Sequence, residues 1–489
     1  MVNEKLKVLF VSAEVVPFAK TGGLADVAGA LPRAIKEQGD DIIVVMPRYY
    51  QIDTNELTHL EAPLGVPMGP MGELWAGVYM ASLPGSSVPI YFIDYEEFFG
   101  RSGLYDEGGD SYGDNDNRFI FLSKAALQLC KMLQFIPDII HANDWHTAAL
   151  PLLVRTRFVH DFAHAATVLT IHNLQHQGNF FKGAMDVLEV GWDHFNAREF
   201  ESHDRLNMLK GGIAHADAVT TVSKRYAKEI QTAEFGFGLE HHIEAHSQKL
   251  FGILNGVDYD EWNPSVDAFI AEKFDVGKMS GKLTCKRALQ EHFHLRKRDD
   301  VAMIGFVGRF AEQKGIGLIA GVIDGLLDMD VQIVMLGTGE KWAEHYFSEV
   351  AARRGDQFGL HVGYSDALAH QVEAGCDLFL MPSLFEPCGL NQIYSLRYGT
   401  LPIVRSTGGL DDTIENFHEN NPRSNGFKFD DASQDALYHT TKWAIDTFYE
   451  KPEAFAKMQE YAMRMHFGWD TAAASYEEVY RYALSKHRL

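Results

Sequence analysis

The feature that most constrains this chain is an alternation of short apolar runs with helical stretches, repeated in both halves of its 489 residues. In the first half, the apolar run Leu6–Glu14 precedes a Gly-rich turn, a helical pattern over Asp26–Gln38 and a second apolar run at Ile42–Met46. This order predicts a strand, a helix and a second strand parallel to the first. Runs that are apolar throughout indicate sheets covered by helices on both faces.

Further runs rich in Val and Ile continue this rhythm. In the first half they are Val88–Ile93, Ile139–His141, Thr167–Ile171, Ala218–Val222 and Leu250–Leu254. In the second half they are Ala302–Val307, Gln332–Leu336, Leu360–Val362, Leu378–Met381 and Pro402–Val404. The sequence therefore predicts an α/β protein with two parallel-sheet domains.

The boundary between these domains is expected in Asp258–Lys282, which contains Trp262-Asn263-Pro264 and little periodicity. We expect a first domain over 1–258, a linker over 259–282, a second domain over 283–465 and a C-terminal segment over 466–489. Within that last segment, Asp470–Lys486 has an amphipathic helical pattern with Asp470 as its N-cap. Its apolar face is expected to pack back on the first domain.

Charge and cysteine content limit the partners and the setting. The formal net charge of −23 argues against a generic nucleic-acid or anionic-membrane surface, although a local basic site for an anionic small ligand stays possible. The cysteines form no CxxC pair, the first apolar run is too short for a signal peptide, and no run approaches 18 apolar residues. These features predict a reduced, cytoplasmic setting without a membrane span.

Each half carries the same kind of hexapeptide after a strand: Thr21-Gly22-Gly23-Leu24-Ala25-Asp26 and Thr407-Gly408-Gly409-Leu410-Asp411-Asp412. Glycines permit close approach of a ligand to the backbone, and the N-terminus of a following helix favours a negative group. Gly-Gly turns are also common in α/β proteins, so either copy alone could be a chance match. Two copies, the first preceded by Lys20, favour a function. The chain has no GxGxxG after its first strand, no P-loop and no Cys/His metal spacing.

Polar residues follow the predicted strands in both halves. They are Lys20, Asp144, His172 and Asn255 in the first half, and Arg309, Lys314, Gly337 and Ser383–Gly389 in the second. Ligands of parallel sheets bind outside the carboxyl ends of strands, so two such edges facing one another would form a deep cleft. Alternatively, Lys20 could be a solvated lysine, Asp144 a helix cap and His172 a satisfied core histidine. Basic residues beside Gly-rich turns in so acidic a chain favour a diphosphate site.

These motifs resemble the bacterial glycogen synthase and plant starch synthase family over the whole chain. The resemblance rests on the ordered segments Lys20–Val27, Gly103–Tyr105, Arg118-Phe119, His141–His146, Ile171–Leu174, Asn255–Asp258, Gly308-Arg309, Lys314-Gly315, Glu386–Leu390 and Ser406–Leu410. It implies two facing Rossmann-like domains with a deep interdomain cleft, the GT-B glycosyltransferase fold. It also implies retaining transfer of glucose from ADP-glucose to the non-reducing 4-hydroxyl of an α-1,4-glucan, with ADP-glucose as a co-substrate and no cofactor or metal.

The resemblance also assigns expected roles to residues. Lys20 and the Gly22-Gly23 backbone meet the donor diphosphate from the first domain, and Arg309 and Lys314 hold it from the second. The glucose contacts fall to His172, Asn255, Glu386, Cys388 and Gly389, Tyr364 stacks on adenine, and Thr407 and Gly408 close the phosphate pocket. Asp144 lies towards the acceptor. Independently of the resemblance, the aromatic residues Tyr105 and Tyr112 amid Gly and Asp in Gly103–Arg118 predict an acceptor groove for a neutral polysaccharide, with a mobile acidic loop as the alternative. Asp26, Gly337 and Leu390 complete the expected substrate-binding set.

Other interpretations stay open at this level. Many retaining transferases of this fold have a second glutamate eight residues after the first, where this chain has Tyr394, so its ribose contact is unassigned. The resemblance favours front-face substitution over Asp144 as a covalent nucleophile. The alternatives are a UDP-glucose enzyme, a nucleotide-sugar epimerase or a phosphorylase of similar architecture, or a non-catalytic glucan- or nucleotide-sugar-binding protein. The oligomeric state is open.

Overall fold

The structure is a computed structural model that describes residues 5–487 and divides into two compact units. One unit contains Met1–Gly256 and Trp469–Leu489, and the other contains Val257–Gly468. Within residues 5–487, no helix combines the length and the apolar character that a membrane crossing requires.

The strands of the first unit are β1 (Lys7–Val11), β2 (Asp41–Pro47), β3 (Thr58–His59), β4 (Leu64–Pro67), β5 (Glu73–Ser82), β6 (Pro89–Asp94), β7 (Asp106–Glu107), β8 (Asp110–Ser111), β9 (Ile139–Asn143), β10 (Ala166–Ile171), β11 (Asn179–Phe181), β12 (Glu201–Ser202), β13 (Arg205–Asn207), β14 (Ala218–Thr221) and β15 (Leu250–Gly252). Its helices up to residue 256 are α1 (Gly23–Glu37), α2 (Glu96–Phe99), α3 (Asn115–Leu133), α4 (Asp144–Thr147), α5 (Leu150–Arg155), α6 (Val159–Phe162), α7 (Ala184–Leu188), α8 (Met208–His215), α9 (Lys224–Glu229) and α10 (Glu240–Ala245), with 3₁₀ turns at Gly69–Met71, Trp192–His194 and Ser247–Lys249.

The main sheet of this unit has the order β15-β14-β10-β9-β1-β2-β6-β5-β3, with β4 paired to β5. The pairs from β15 to β6 are parallel, and those made by β5 are antiparallel. From β1 the chain first builds outward through β2 and β6, and then through β9, β10 and β14 on the other side. The strand order therefore reverses between β1 and β9, which makes their carboxyl ends a topological switch point.

The second unit repeats this design. Its elements are α11 (Ser280–His292), β16 (Ala302–Val307), α12 (Ile316–Leu327), β17 (Val331–Gly337), α13 (Lys341–Arg353), β18 (Phe358–Val362), α14 (Asp366–Gly375), β19 (Leu378–Met381), α15 (Asn391–Arg397), β20 (Leu401–Arg405), α16 (Gly408–Thr413), β21 (Phe427–Phe429), α17 (Gln434–Glu450) and α18 (Pro452–Arg464), with a 3₁₀ turn at Glu312–Lys314. All pairs of its sheet, ordered β18-β17-β16-β19-β20-β21, are parallel. Its switch point lies between β16 and β19.

The C-terminal helix α19 (Trp469–His487) belongs to the first unit. Its buried face includes Ala473, Tyr476, Val479 and Tyr480. The Tyr480 hydroxyl lies 2.8 Å from Nδ1 of the fully buried His141 in β9, and the other ring nitrogen of His141 lies 2.6 Å from Thr170 Oγ1. These hydrogen bonds connect the helix to the sheet. His141 therefore has a structural role in the core.

Two local expectations differ from the structure. Residues 259–282 lie within the second unit and not between the units, because buried polar groups anchor them there. Lys282 Nζ donates to Tyr398 O at 3.0 Å and to Thr400 Oγ1 at 2.7 Å. The first helix begins at Gly23, three residues before the expected Asp26, because the Gly22-Gly23 turn leads directly into it.

Candidate active site

In each unit, most of the polar residues singled out in the sequence lie at or beside the switch point of the sheet, while Asn255 follows the edge strand β15 and Gly337 ends β17. In the first unit, Lys20 and its Gly-Gly loop follow β1, Asp144 follows β9 and His172 follows β10. In the second, Arg309 and Lys314 follow β16, and the turn Ser383–Gly389 follows β19. Because α/β proteins bind ligands at such positions, each unit carries its own candidate half-site.

Glu14, which the sequence analysis did not single out, organises the first Gly-Gly loop. Its buried carboxylate accepts hydrogen bonds from the backbone N–H of Thr21, from Thr21 Oγ1 at 2.6 Å and from the N–H of Gly22 at 3.2 Å. It also accepts the hydroxyl of Tyr105 at 2.6 Å. A carboxylate can accept all four because it has about four lone-pair sites. Glu14 therefore fixes the loop that carries Lys20.

The loop itself presents an accessible cation and open space. Lys20 Nζ is half-exposed and lies 2.7 Å from Asp26 Oδ1. Burial raises the pKa of Asp26, and the nearby Lys20 opposes that shift. Gly22 has an extended conformation with φ of −152°, and a Cβ added at Gly22 or Gly23 would meet nothing within 4 Å. Packing within residues 5–487 therefore does not require glycine at either position.

Asp144 is buried at the start of α4 and has φ of +53°, in the left-handed region. Such backbone strain is characteristic of functional sites. Its Oδ1 accepts the N–H of His172 at 2.7 Å. Burial raises the pKa of Asp144 to about 7, against the lowering effect of hydrogen bonds from the backbone of His172 and Asn173. Asp144 is thus a carboxyl group that can change protonation near neutral pH.

His172 is buried and neutral, because burial lowers its pKa to about 3. Asn143 Nδ2 donates to Val11 O, so Asn143 Oδ1 is left to accept the proton of His172 Nε2 at 3.0 Å. His172 Nδ1 is therefore an acceptor, and it has no hydrogen-bond partner within the described chain. Asn255 Oδ1 is a second buried acceptor without a donor among these residues. Buried acceptors of this kind suit a ligand that supplies hydroxyl groups.

The segment expected to line an acceptor groove is held by its own contacts. The Tyr112 hydroxyl accepts the N–H of Gly103 at 3.2 Å. The guanidinium groups of Arg101 and Arg118 lie 4.7 and 5.0 Å from the centre of the Tyr112 ring. Tyr105 stacks on His146, which is buried and whose Nδ1 also lacks a partner in the described residues. The structure holds these aromatic residues in place, and their role towards a glucan stays a prediction.

The second half-site is built around Glu386. Lys314 Nζ lies 2.5 Å from Glu386 Oε2, and Ser383 Oγ donates to the same oxygen at 3.0 Å. Gly315, with φ of +70°, passes so close to β19 that a Cβ there would lie 2.1 Å from Pro382 O. The loop after β16 therefore packs directly on the turn after β19. Arg309 is exposed and donates to Gln313 Oε1 at 3.0 Å.

The turn Glu386–Gly389 is held by the second Gly-Gly loop. A Cβ on Gly408, whose φ is +45°, would lie 1.9 Å from Glu386 O, and one on Gly409 would lie 1.9 Å from Cys388 O. The N–H of Gly409 donates to Glu386 O at 3.1 Å. Gln392 lies in α15, and its Nε2 donates to the carbonyls of Cys388 and Gly389, which precede that helix. These glycines are required by packing and by conformation.

The remaining expected contacts differ in character. Tyr364 is 82 % exposed, and its hydroxyl donates to Asp366 Oδ1 at 3.2 Å. Thr407 is buried, Leu390 precedes α15, and Gly337 approaches Gly308 so closely that a Cβ would lie 2.0 Å from its carbonyl oxygen. Tyr394 stacks on Trp262, with ring centres 3.9 Å apart. The position at which many retaining transferases of this fold have a second glutamate is therefore occupied here by an aromatic packing residue.

Comparisons with known proteins show which families and relatives this chain resembles. Residues 7–245 match the family model described as the starch synthase catalytic domain, and residues 289–465 match that of glycosyl transferases group 1. The chain is 51% identical to Glycogen synthase 1 of Geobacter sulfurreducens over 486 residues, covering 99% of this chain and 97% of that protein. It is 45% identical to the glycogen synthase of Anaeromyxobacter sp. strain Fw109-5, covering 97% and 99% respectively.

A solved structure is similar over almost the full length. The catalytic domain of starch synthase IV from Arabidopsis thaliana, bound to ADP and acarbose, superposes with a TM-score of 0.90 at 31% identity and covers 98% of this chain and 100% of that one. These findings confirm the resemblance seen in the motifs and the two-domain GT-B fold. The chain belongs to the glycogen synthase family of glucosyltransferases.

Proposed function

We propose that this protein transfers glucose from ADP-glucose to the non-reducing 4-hydroxyl of an α-1,4-glucan, with retention of configuration and release of ADP. The observation that carries the proposal is the carboxyl edge of the first sheet. There a loop with an accessible lysine and two open glycines follows β1, and a buried neutral acceptor, His172 Nδ1, follows β10. One sheet edge thus offers a cation for a phosphate and an acceptor for a sugar hydroxyl.

In this proposal each unit contributes its own cations for a phosphate group. Lys20 contributes from the first, where the lack of a side chain at Gly22 and Gly23 lets a phosphate oxygen approach the backbone closely. Arg309 and Lys314 contribute from the second. Positive charge aimed at the leaving diphosphate stabilises the negative charge that develops there in the transition state.

The glucose ring is proposed to be positioned by uncharged acceptors and by Glu386. His172 Nδ1 and Asn255 Oδ1 are buried and lack donors within residues 5–487, so sugar hydroxyls would satisfy them. Glu386 is buried and already holds Lys314, which would place the diphosphate and sugar contacts next to each other in the second unit. The backbone N–H groups of Cys388 and Gly389 are proposed to meet further hydroxyls.

ADP is the proposed leaving group for two reasons. The similar starch synthase IV structure is a complex with ADP. In this chain Tyr364 exposes 82 % of its surface directly after β18, as expected of a platform for a planar base. We propose that adenine stacks on this ring.

The proposed chemistry is a front-face substitution. The bond between C1 of glucose and the phosphate oxygen breaks, the acceptor 4-oxygen bonds to C1 on the same face, and the acceptor proton passes to the departing phosphate oxygen. This route needs no nucleophilic carboxylate. Asp144 is proposed to act on the acceptor side, near the aromatic residues Tyr105 and Tyr112.

The setting of this reaction is proposed to be the reduced cytoplasm. Cys130, Cys285, Cys376 and Cys388 are all buried with free thiols. Burial raises the pKa of the Cys130 and Cys376 thiols, which keeps them protonated and poorly nucleophilic.

The test is a turnover assay with glycogen and either ADP-glucose or UDP-glucose. We expect nucleoside diphosphate release that depends on glycogen, a higher kcat/KM for ADP-glucose, and new linkages with the α-anomeric proton signal in NMR. Preference for UDP-glucose would overturn the donor assignment, and β-linked product would overturn retention. Absence of turnover with either donor would support a binding protein instead.

A further inference from the structure

A cluster of one imidazole and two carboxylates lies in the second unit, outside the proposed glucose and diphosphate contacts. One ring nitrogen of His370 and one carboxylate oxygen each of Glu261 and Asp366 lie within 4.8 Å of one another. Asp366 is the first residue of α14 and His370 is four residues later, so the two side chains share one face of the helix. Glu261 comes from the segment before the buried Asp267.

His370 is held in the tautomer that a metal ligand requires. The residue is fully buried, and its Nδ1 lies 2.8 Å from Asp267 Oδ2, which also accepts the hydroxyl of Tyr398 at 2.5 Å. With Nδ1–H donated to Asp267, the Nε2 lone pair is the one available for a ligand. Metal-binding histidines usually donate their other ring N–H to a carboxylate in this way.

His370 Nε2 has no hydrogen-bond partner within residues 5–487, although it is buried. A buried ring nitrogen without a partner is costly, and a cation would relieve that cost. The His370 ring is fixed from one side by Trp262, which stacks on it with centres 3.7 Å apart. Three carboxyl groups, including Asp267, surround this single imidazole.

We propose that His370 Nε2, Glu261 and Asp366 bind a Zn²⁺ ion, with Asp267 orienting the histidine. Imidazole nitrogen and carboxylate oxygen are established zinc ligands at about 2.0–2.2 Å, so two ligand atoms on one tetrahedral ion lie about 3.4 Å apart. Atoms already within 4.8 Å reach that spacing by small side-chain rotations. A water molecule completes the coordination.

The ion has a structural role in this proposal and takes no part in glucose transfer. It ties the segment containing Glu261 to the start of α14, which the Asp267–His370 contact already joins. Because Asp366 also accepts the Tyr364 hydroxyl, the ion shares a carboxylate with the exposed tyrosine. The inference is independent of the proposed donor and acceptor.

The experiment is a calorimetric titration of Zn²⁺ into the full chain after removal of bound metals with a chelator. The wild type is expected to bind one equivalent. Asp366→Asn and Glu261→Gln keep the side-chain shape, and each should raise Kd at least about tenfold, since loss of even an outer-shell partner weakens metal binding by about 10- to 100-fold. Both residues are partly or fully exposed and Ser365 caps the helix, so the fold should persist.

A second cluster provides the matched control. His194, Glu199 and His215 also lie together, in the first unit. Glu199→Gln should leave the zinc affinity unchanged. Stoichiometric binding that is lost in Glu199→Gln and kept in Asp366→Asn would overturn the assignment, as would a wild type that binds no equivalent. Crystals soaked in Zn²⁺ should show an anomalous-difference peak at bonding distance from His370 Nε2, and a peak elsewhere only would also overturn it.

Discussion

The two Gly-Gly loops have nearly the same sequence, but the space around their glycines differs. Protein atoms crowd the glycines of the second loop and leave those of the first loop open. In Thr21–Asp26, a Cβ on either glycine would meet nothing within 4 Å, and Gly22 has an ordinary extended conformation. In Thr407–Asp412, a Cβ on either glycine would lie 1.9 Å from a backbone oxygen of the turn Glu386–Cys388. The second loop therefore needs glycine to fold, whereas the first keeps space that residues 5–487 do not fill.

The two loops are also held differently. Glu14 binds the first through its side chain, so its backbone is fixed while its outer surface stays open. The second is held by backbone contact, with the N–H of Gly409 donating to Glu386 O. This contrast supports the proposal that the first loop is a binding element, whereas the second loop packs against the Glu386 turn.

The largest expected effect is on the stability of the second loop. Gly409→Ala should destabilise the second unit by about 3 kcal/mol, the upper end for overpacking, because the new methyl group meets the Cys388 carbonyl. That corresponds to a fall of about 6–12 °C in the Tm of this unit, measured by calorimetry. Gly317→Ala in α12 is the matched control, since a Cβ there meets nothing within 4 Å. An unchanged Tm in Gly409→Ala would remove the contrast between the loops.

The next effect concerns the cation of the first loop. Lys20→Ala should lower kcat/KM for ADP-glucose by about 10- to 150-fold, equivalent to a charge-assisted hydrogen bond of about 1.5–3 kcal/mol. Its Tm should stay unchanged because the side chain is half-exposed. Lys36→Ala, in the last turn of α1, should leave the kinetics unaltered. Normal donor use in Lys20→Ala would make Lys20 a surface residue.

Glu14→Gln tests how the first loop is held. The substitution weakens the hydrogen bonds that fix the loop and leaves Lys20, Gly22 and Gly23 unchanged. An amide has one acceptor oxygen and two donor hydrogens, so it cannot accept the N–H groups of Thr21 and Gly22 together with the two hydroxyls. We expect a loss of about 1–3 kcal/mol in stability and a higher KM for ADP-glucose. Glu37→Gln, at the exposed end of α1, serves as the control. Unaltered kinetics with lowered stability would limit Glu14 to a role in folding.

The last prediction concerns the pH dependence of stability at Asp144, beside the first loop. Its pKa of about 7 exceeds its ordinary value of 3.8, so the folded state binds more protons than the unfolded state between those values. This contribution to stability is lost as pH rises towards 7, at a rate of at most about 1.36 kcal/mol per pH unit. Asp144→Asn cannot titrate, so the Tm of the variant minus that of the wild type should increase from pH 5 to 7 and then level off. A constant difference would contradict the raised pKa.

The predicted strands agree best with the structure where the strand is buried on both faces. The runs Ala302–Val307 and Leu378–Met381 are β16 and β19 with the same bounds, because strands buried on both faces are continuously apolar. The antiparallel edge β3–β5 was not predicted; only Ala76 and Val78 are fully buried in β5, so it lacks the continuous burial of the central strands. Residues 259–282 lack periodicity because isolated buried groups such as Lys282 anchor them.

The sequence predicted which candidate residues follow the ends of strands. It did not predict which residues contact one another. Strand-end placement identified Lys20, Asp144, His172 and Glu386. Glu14 was missed because it lies seven positions before Thr21 and no periodic pattern joins the two residues. The two hexapeptides could not be told apart in sequence, because the atoms that crowd Gly408 and Gly409 come from residues about twenty positions away.

The central claim is that the space at Gly22 belongs to the donor, and a calorimetric titration of ADP into wild type and Gly22→Ala tests it most directly. The account predicts an unchanged Tm, since the new methyl group meets no atom within 4 Å, together with ADP binding weakened at least about tenfold, or about 1.4 kcal/mol. Equal ADP affinity in the two proteins would show that the open glycines do not face the nucleotide and would contradict the claim.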